Sequence, residues 1–233
     1  MQSFANRARK FGLTLSEDQL AAFETYYREL VDWNRRVNLT RITRREEVIT
    51  RHFLDSLSIV SLLGKLNAAS FRLIDVGSGA GFPGLPLKIA CPALRLTLLE
   101  ATGKKAAFLH HLVETLALAG VNVVNARAEE AGQQPAHRER YDLAVARAVA
   151  PLNTLAELTL PLVKRGGYVV AQKGEDPAAE VEGGIAAVKT LGGRLREIKA
   201  VEVPGLDARR HLVLLEKIAA TPLKYPRRSG MPA

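Results

Sequence analysis

Four glycines, Gly77, Gly79, Gly81 and Gly84, close the apolar run FRLIDV and could do chemistry there. Glycine lets a backbone turn tightly and pass close to a ligand with no Cβ in the way. Two chemistries use such a loop. Gly79, Gly81 and Gly84 match the dinucleotide fingerprint, in which helix amides hold a pyrophosphate and an acid such as Glu100 takes the ribose. Against that reading, Pro83 removes an amide donor where a pyrophosphate needs one. No Tyr-x-x-x-Lys pair supports hydride transfer either. The second reading begins one step earlier, with Asp75 before Gly77, Gly79 and Gly81. A carboxylate there repels a pyrophosphate and suits a cationic amino-acid headgroup, such as the methionine end of S-adenosylmethionine. Glu100, ending LRLTLLE, is placed to accept both ribose hydroxyls, and Ala128-Glu129, after VNVVNA, fall where an adenine edge would lie. Acids at successive strand ends line one crevice at the carboxyl edge of an open sheet, where such folds bind ligands. The spacing favours S-adenosylmethionine, with a nicotinamide-dependent oxidoreductase as the alternative.

Methyl acceptors differ in what they demand. Carbon-5 of a pyrimidine needs a cysteine nucleophile, but the one cysteine, Cys91, lies before the second strand and reads as structural. Exocyclic amines are usually served by an Asn/Asp-Pro-Pro-aromatic loop after the fourth strand; Arg147-Ala148-Val149-Ala150-Pro151 stands there instead. Ring N7 of guanine has a free lone pair and no proton to remove. In-line transfer to it needs chiefly orientation and desolvation. Elimination therefore points to N7. His52 and Asp55, one helical turn apart, read as a packing or capping pair rather than a catalytic one, and no metal site is expected.

The elements that must position these residues follow from pattern. Ser16 with Gln19 forms a capping box, and Leu20, Phe23, Tyr27, Leu30 and Val31 recur at helical spacing. A second helix is expected over 45–63, closed by Gly64. From Phe71 short apolar runs alternate with helices at 104–119, 151–163 and 178–191, which predicts a doubly wound parallel sheet. The last strands, IKAVEV and HLVLLEK, are joined by only PGLDARR, too short for a helical crossover, so they should pair as an antiparallel hairpin. The expected division is a helical appendage over 1–70, a Rossmann-like α/β domain over 71–218 and a basic tail over 219–233.

The 233 residues carry 33 Lys plus Arg against 24 Asp plus Glu, a formal charge of +9. With 47% hydrophobic residues this is a globular composition, which excludes intrinsic disorder. No apolar run reaches a membrane span, no secretory signal opens the chain, and a single cysteine fits a reducing cytoplasm. The charge makes a polyanion the leading partner. It is densest around Arg35, Arg36, Arg41, Arg44, Arg45 and Arg51 and in the tail KYPRRSG. Two basic segments flanking a ligand-binding core support a nucleic-acid partner. A monomer is expected, because no large apolar surface is evident.

On these residues the chain resembles the bacterial small-subunit ribosomal RNA guanine-N7 methyltransferases, the glucose-inhibited division protein B or methyltransferase G family. The resemblance rests on NLTRIT (Asn38–Thr43), HFLDSL (His52–Leu57), DVGSGAGFPGLPLKI (Asp75–Ile89), LLEATGKKAAFL (Leu98–Leu109), RAEE (Arg127–Glu130), ARAVAPL (Ala146–Leu152), QKGE (Gln172–Glu175) and TPLKYPRRSGMP (Thr221–Pro232). It implies a class I methyltransferase fold of seven mostly parallel strands. It implies that Gly77 and Phe82 line the S-adenosylmethionine pocket, that Glu100, Ala101 and Thr102 hold the ribose side, and that Ala128-Glu129 meet the adenine. Arg147 would sit beside the methionine end and the incoming guanine, the catalytic position. The implied substrate is one guanine of 16S ribosomal RNA, position 527 in the usual rRNA numbering, with methylation of another rRNA site as the alternative. Arg147 has a second reading, as an ion-pair partner of Asp142 or Glu175. Phosphate contacts are expected from Lys173, from Arg35, Arg36, Arg41 and Arg44, and from Arg227 and Arg228 in the tail.

Overall fold

The computed structural model describes residues 1–64, 71–174 and 176–231. Helices come first. After α1 (Gln2–Ala8), helix α2 (Glu17–Asn34) starts where Ser16 accepts the Gln19 amide at 3.2 Å and Gln19 accepts the Ser16 amide at 2.8 Å. That reciprocal pair is the expected capping box. The helix expected over 45–63 is broken into α3 (Arg45–Val48), a π-helical turn (Ile49–Leu54), α4 (Asp55–Leu57) and α5 (Val60–Leu63). A π turn shifts the side-chain register by one residue and frequently coincides with a functional site. Gly64 caps the C-terminal end of α5 as expected, in a right-handed conformation at φ −60°.

Strand β1 (Arg72–Val76) leads through the glycine loop into α6 (Gly84–Ala90), a helix that the hydrophobic pattern does not signal. Then follow β2 (Arg95–Leu99), α7 (Gly103–Thr115), β3 (Val121–Val124), α8 (Ala128–Ala131) and β4 (Tyr141–Arg147). The chain continues through α9 (Leu152–Thr159), β5 (Val163–Lys173), α10 (Ala178–Thr190), β6 (Gly193–Val201) and β7 (Arg210–Lys217). Helix α7 ends before the expected position because Ala117 already takes a positive φ, ahead of Gly120. One seven-stranded sheet has the order β3-β2-β1-β4-β5-β7-β6. Strands β1 to β5 are parallel, and β7 runs antiparallel between β5 and β6, the expected hairpin. The order reverses between β1 and β4, and the crevice outside their carboxyl ends is where such sheets bind ligands.

Alternate residues of β1 belong to different cores, Leu73 to one face and Ile74 and Val76 to the other. The first core holds Phe4, Phe23, Tyr26, Leu30 and Phe53 together with Leu85, Leu98 and Phe108, so the N-terminal helices share their core with α6, α7 and the sheet. The domain boundary expected after residue 70 lies outside the described residues. Helices α9 and α10 cover the opposite face.

Candidate active site

The glycine loop is tied from below and from one side. Asp75 is wholly buried; its Oδ2 accepts the Gly84 amide at 2.8 Å, and the Ser78 hydroxyl donates to its backbone carbonyl at 2.9 Å. A Cβ on Gly84 would lie 2.8 Å from that Oδ2, so glycine is needed for α6 to start this close to β1. Asp75 therefore stands beneath the loop and not on the crevice wall where the sequence placed it. Burial pushes its carboxyl up to about 7, against the opposing pull of the Gly84 amide and Arg147. Its Oδ1 has no hydrogen-bond partner among the described residues. An unpartnered buried acceptor under a loop built for close approach fits a ligand that brings hydrogen-bond donors.

Glu100 forms the side wall. Its Oε2 accepts the Gly79 amide at 2.9 Å and its Oε1 the Thr102 amide at 2.7 Å, while Asn125 donates to its carbonyl at 2.8 Å. The buried side chain thus fastens the loops after β1 and β2 together, and the Glu100 backbone carbonyl ties in the loop after β3. Each carboxylate oxygen retains a lone pair for a further donor such as a ribose hydroxyl. Ala101 and Thr102 are exposed at the start of α7, and half-buried Ala128 and Glu129 open α8. Gly77 is exposed at φ +71°, and a Cβ there would lie 2.9 Å from Val149 Cγ2 on the loop after β4.

Across the switch point, Arg147 ends β4. Its Nη1 donates to Asp55 Oδ2 and to the Arg51 carbonyl, both at 3.1 Å, and its guanidinium carbon lies 5.0 Å from the Phe82 ring centre. Phe82 also stacks on Tyr26 at 5.3 Å and on His52 at 4.5 Å. Arg210 Nε donates to Asp55 Oδ1 at 3.2 Å, and Gln172 Nε2 donates to the Asp55 backbone carbonyl at 2.7 Å. The Asp55 carboxylate, 5% exposed, is thus shared by two arginines from β4 and β7. His52 Nδ1 lies 3.1 Å from the Arg51 carbonyl and 3.4 Å from Arg147 Nη2, and its Nε2 lies 2.9 Å from the Thr40 hydroxyl. Burial, with Arg147 nearby, pushes its pKa down to about 3. A cleft of about 440 Å³ opens on this cluster, lined by Arg51, His52, Asp55, Arg147, Lys173 and Arg210.

Several expectations change here. His52 and Asp55 do not cap or pair with each other; the π turn delivers both to Arg147. Asp142 is taken by Lys164, and Glu175 lies outside the described residues, so the ion-pair partner of Arg147 is Asp55. Arg210 was missed, and Asp55 and Gln172, named only within a helical pair and the motif QKGE, were not joined to Arg147, because their approach spans 92 to 155 residues of sequence. The motif HFLDSL was the one signal that pointed at Asp55. Lys173 donates to the Ala150 carbonyl at 3.0 Å and pairs with Glu180 at 2.5 Å, so its ammonium is not free for phosphate. Arg227 is held by buried Glu157 at 2.7 Å. Arg35 and Arg36 project outward beside Asp32, and Arg41, Arg44 and Arg228 are exposed with no ion pair among the described residues. Those residues hold no His/Cys/Asp/Glu cluster suited to a metal, and no helix among them is long and apolar enough to cross a membrane.

A glycine loop at the switch point of this sheet, with an acid on the next strand end, is the plan of a class I methyltransferase. Solved structures share the fold: TrmN from Thermus thermophilus (TM-score 0.53, 18% identity, 73% of this chain and 53% of that one) and a precorrin-6y C5,15-methyltransferase from Geobacter metallireducens (TM-score 0.51, 15% identity, 69% and 87%). The family model described as rRNA small subunit methyltransferase G matches residues 19–213. Proteins named ribosomal RNA small subunit methyltransferase G are similar over nearly the whole chain. The one from Dehalococcoides mccartyi is 53% identical over 95% of this chain and 93% of its own, and one from a Roseiflexus species is 50% identical over 100% and 98%. The chain belongs to the rRNA small subunit methyltransferase G family. Nothing in these matches favours the nicotinamide alternative.

Proposed function

We propose that this protein transfers a methyl group from S-adenosylmethionine to N7 of a single guanine in small-subunit ribosomal RNA, acting as a cytoplasmic monomer. The observation that carries the reading is the approach of Arg147, on the cleft, to Phe82 of the glycine loop, 5.0 Å from guanidinium carbon to ring centre. Glu100 and Thr102 take the ribose side, Ala128 and Glu129 the adenine edge, and Gly77 and Gly79 bring the backbone close to the methionine end above Asp75. When bound, S-adenosylmethionine supplies an electrophilic methyl group on a positively charged sulfur.

The chain's own residues orient the acceptor. Arg147, held by Asp55, meets the O6 edge of guanine; a side chain on N7 would block the reacting lone pair. Because N7 carries no proton, no general base is required. With a pKa of about 3, His52 is too weak a base at neutral pH to serve as one, and it acts as a neutral wall stacked on Phe82. Arg210 and Arg51 flank the cleft for the nucleotide's phosphates, and exposed Arg35, Arg36, Arg41, Arg44 and Arg228 take more distant RNA.

Calorimetric titration with S-adenosylmethionine and with NAD separates the two cofactor readings, and binding of NAD alone refutes the proposal. Primer-extension cleavage at methylated guanine, in rRNA from a deletion strain with and without this chain, then separates an enzyme from an RNA-binding assembly factor. Arg147→Ala should lower turnover by roughly a hundredfold, as expected of a lost orienting group. Near-normal turnover would remove Arg147 from the site.

A further inference from the structure

The chain after β7 contains no helix or strand among the described residues, yet it is fastened at many points. The Arg138 guanidinium donates to the carbonyls of Gly132, Thr221 and Tyr225, each at 2.8 Å. Gln133 donates to the Pro226 carbonyl at 2.8 Å, and a Cβ on Gly132 would lie 2.8 Å from Pro226 Cγ. Glu157, buried under the tail, takes the Arg227 amide at 2.7 Å and the Arg227 guanidinium at 2.7 to 3.1 Å. Chain ends are ordinarily loose, and ordering one costs roughly 1–2 kcal/mol per residue in backbone entropy. This tail is ordered by contacts that spend Arg227 inward.

What the anchors leave outward is a strip of different chemistry. Lys224 and Arg228 are exposed with no ion pair among the described residues, and the apolar side chains of Leu223 and Met231 are 83% and 56% exposed. Between this strip and α8 runs a cleft of about 780 Å³, with Glu129 and Glu130 on its far wall. The acids on α8 would repel a polyanion and the bases on the tail attract it, so charge fixes which wall a phosphate backbone follows.

We propose that the pinned tail is a preformed docking strip for the single-stranded RNA that flanks the methylated guanine at a distance. Lys224 and Arg228 take phosphates, and Leu223 and Met231 lie against base faces. Arg227, grouped with Arg228 on sequence, is the anchor and not a contact. The inference rests on the methyltransferase reading, since that supplies the RNA. A preformed strip saves the ordering entropy that a loose basic tail would lose on binding.

The test is equilibrium binding of a single-stranded RNA oligonucleotide, of the sequence around the target guanine, across a salt series. The full-length protein and two variants are compared, with S-adenosylmethionine binding measured alongside. Losing two phosphate contacts in Lys224→Ala/Arg228→Ala should flatten the slope of log K against log salt by about 1.4, or about 25-fold in affinity at 0.1 M salt. Glu157→Gln separates the strip from a mere charge reservoir. It keeps every base and adds one net positive charge, so a reservoir binds as tightly or tighter, whereas an unpinned strip binds several-fold weaker and becomes protease-sensitive. Unchanged slope in the double variant, or binding by Glu157→Gln as tight as or tighter than that of the unsubstituted protein, overturns the proposal. Weaker binding only to an assembled small subunit would assign the strip to a ribosomal protein and also overturn it. Loss of S-adenosylmethionine binding by the unsubstituted protein would instead count against the methyltransferase reading.

Discussion

Replacing Asp55 with asparagine removes one negative charge and little volume from the point where three segments meet. Arg147 and Arg210 then face each other without a counter-charge, their side chains 16% and 23% exposed. Breaking a fully buried ion pair by deleting one partner costs about 3–5 kcal/mol. Both guanidiniums keep some water, and the new amide would still offer one carbonyl oxygen, so roughly 2–3 kcal/mol is the expectation here once solvent screening is allowed for. At roughly 2–4 °C per kcal/mol for a chain of this size, the midpoint of thermal unfolding should fall by about 4–12 °C. The functional effect should be larger. Arg147 would lose its holder, and a displacement near 1 Å in an orienting group costs on the order of a hundredfold in rate. The assay is incorporation of labelled methyl from S-adenosylmethionine into small-subunit rRNA, run well below the variant's unfolding midpoint. Turnover should fall while S-adenosylmethionine affinity changes little, because Glu100 and the glycine loop are untouched. A lowered midpoint with turnover within about threefold of the unsubstituted protein would make Asp55 purely structural and refute the positioning role.

Other outcomes follow from the same geometry. His52, held down at about 3 against an ordinary 6.5, leaves the unfolded chain binding the extra proton between those values, so its contribution to stability is lost as pH falls from 6.5. Asp75, held up at about 7 against 3.8, gives the folded chain the extra proton, so its contribution is lost as pH rises through that window. The two oppose each other between 3.8 and 6.5; Asp75→Asn should uncover a slope of up to ~1.4 kcal/mol per pH unit in denaturant titrations, and a profile unchanged by the substitution would contradict it. Gly77→Ala puts a Cβ at φ +71° and 2.9 Å from Val149 Cγ2, so S-adenosylmethionine should bind about 5- to 30-fold more weakly for about 1–2 kcal/mol of backbone strain; unchanged affinity by calorimetry would show that the Val149 loop yields freely. Arg41→Ala/Arg44→Ala should flatten the salt slope of single-stranded RNA binding by about 1.4 without touching cofactor affinity.

Local pattern carried the strands, the capping box and the hairpin, because period, caps and connection length are properties of neighbouring residues. It also carried the glycine loop and Glu100, since residues at consecutive strand ends are brought together by the topology itself. It misjudged groups whose partners are distant in sequence. Lys173 and Arg227 read as free cations until Glu180 and Glu157 occupied them. Asp75 read as a crevice wall, although the start of α6 at Gly84 buries it. His52 and Asp55 read as an ordinary helical pair. A π turn within the expected helix and the arrival of β7 were both needed to set Asp55 between two arginines, and neither leaves a periodic trace.

That arrangement also answers an electrostatic objection to the site. A cationic cofactor and an arginine beside it should repel, and Arg147 and Arg210 together would raise the barrier to binding. Asp55 offsets one of the two charges within the cluster, and Glu180 offsets Lys173 on the same rim. Phe82 presents its ring to the Arg147 guanidinium at 5.0 Å, and the negative face of an aromatic ring stabilises a cation there. What remains is about two units of positive charge at the cleft, one of them on Arg51, sufficient to attract a nucleotide's phosphate and set against a sulfonium anchored by Glu100 and the glycine loop. Neutralising Asp55 should therefore weaken S-adenosylmethionine binding slightly and RNA binding not at all. Substituting Arg210 with methionine should do the reverse, lowering RNA affinity and leaving the cofactor in place. If both substitutions shifted cofactor affinity in the same direction, the charge balance described here would be wrong.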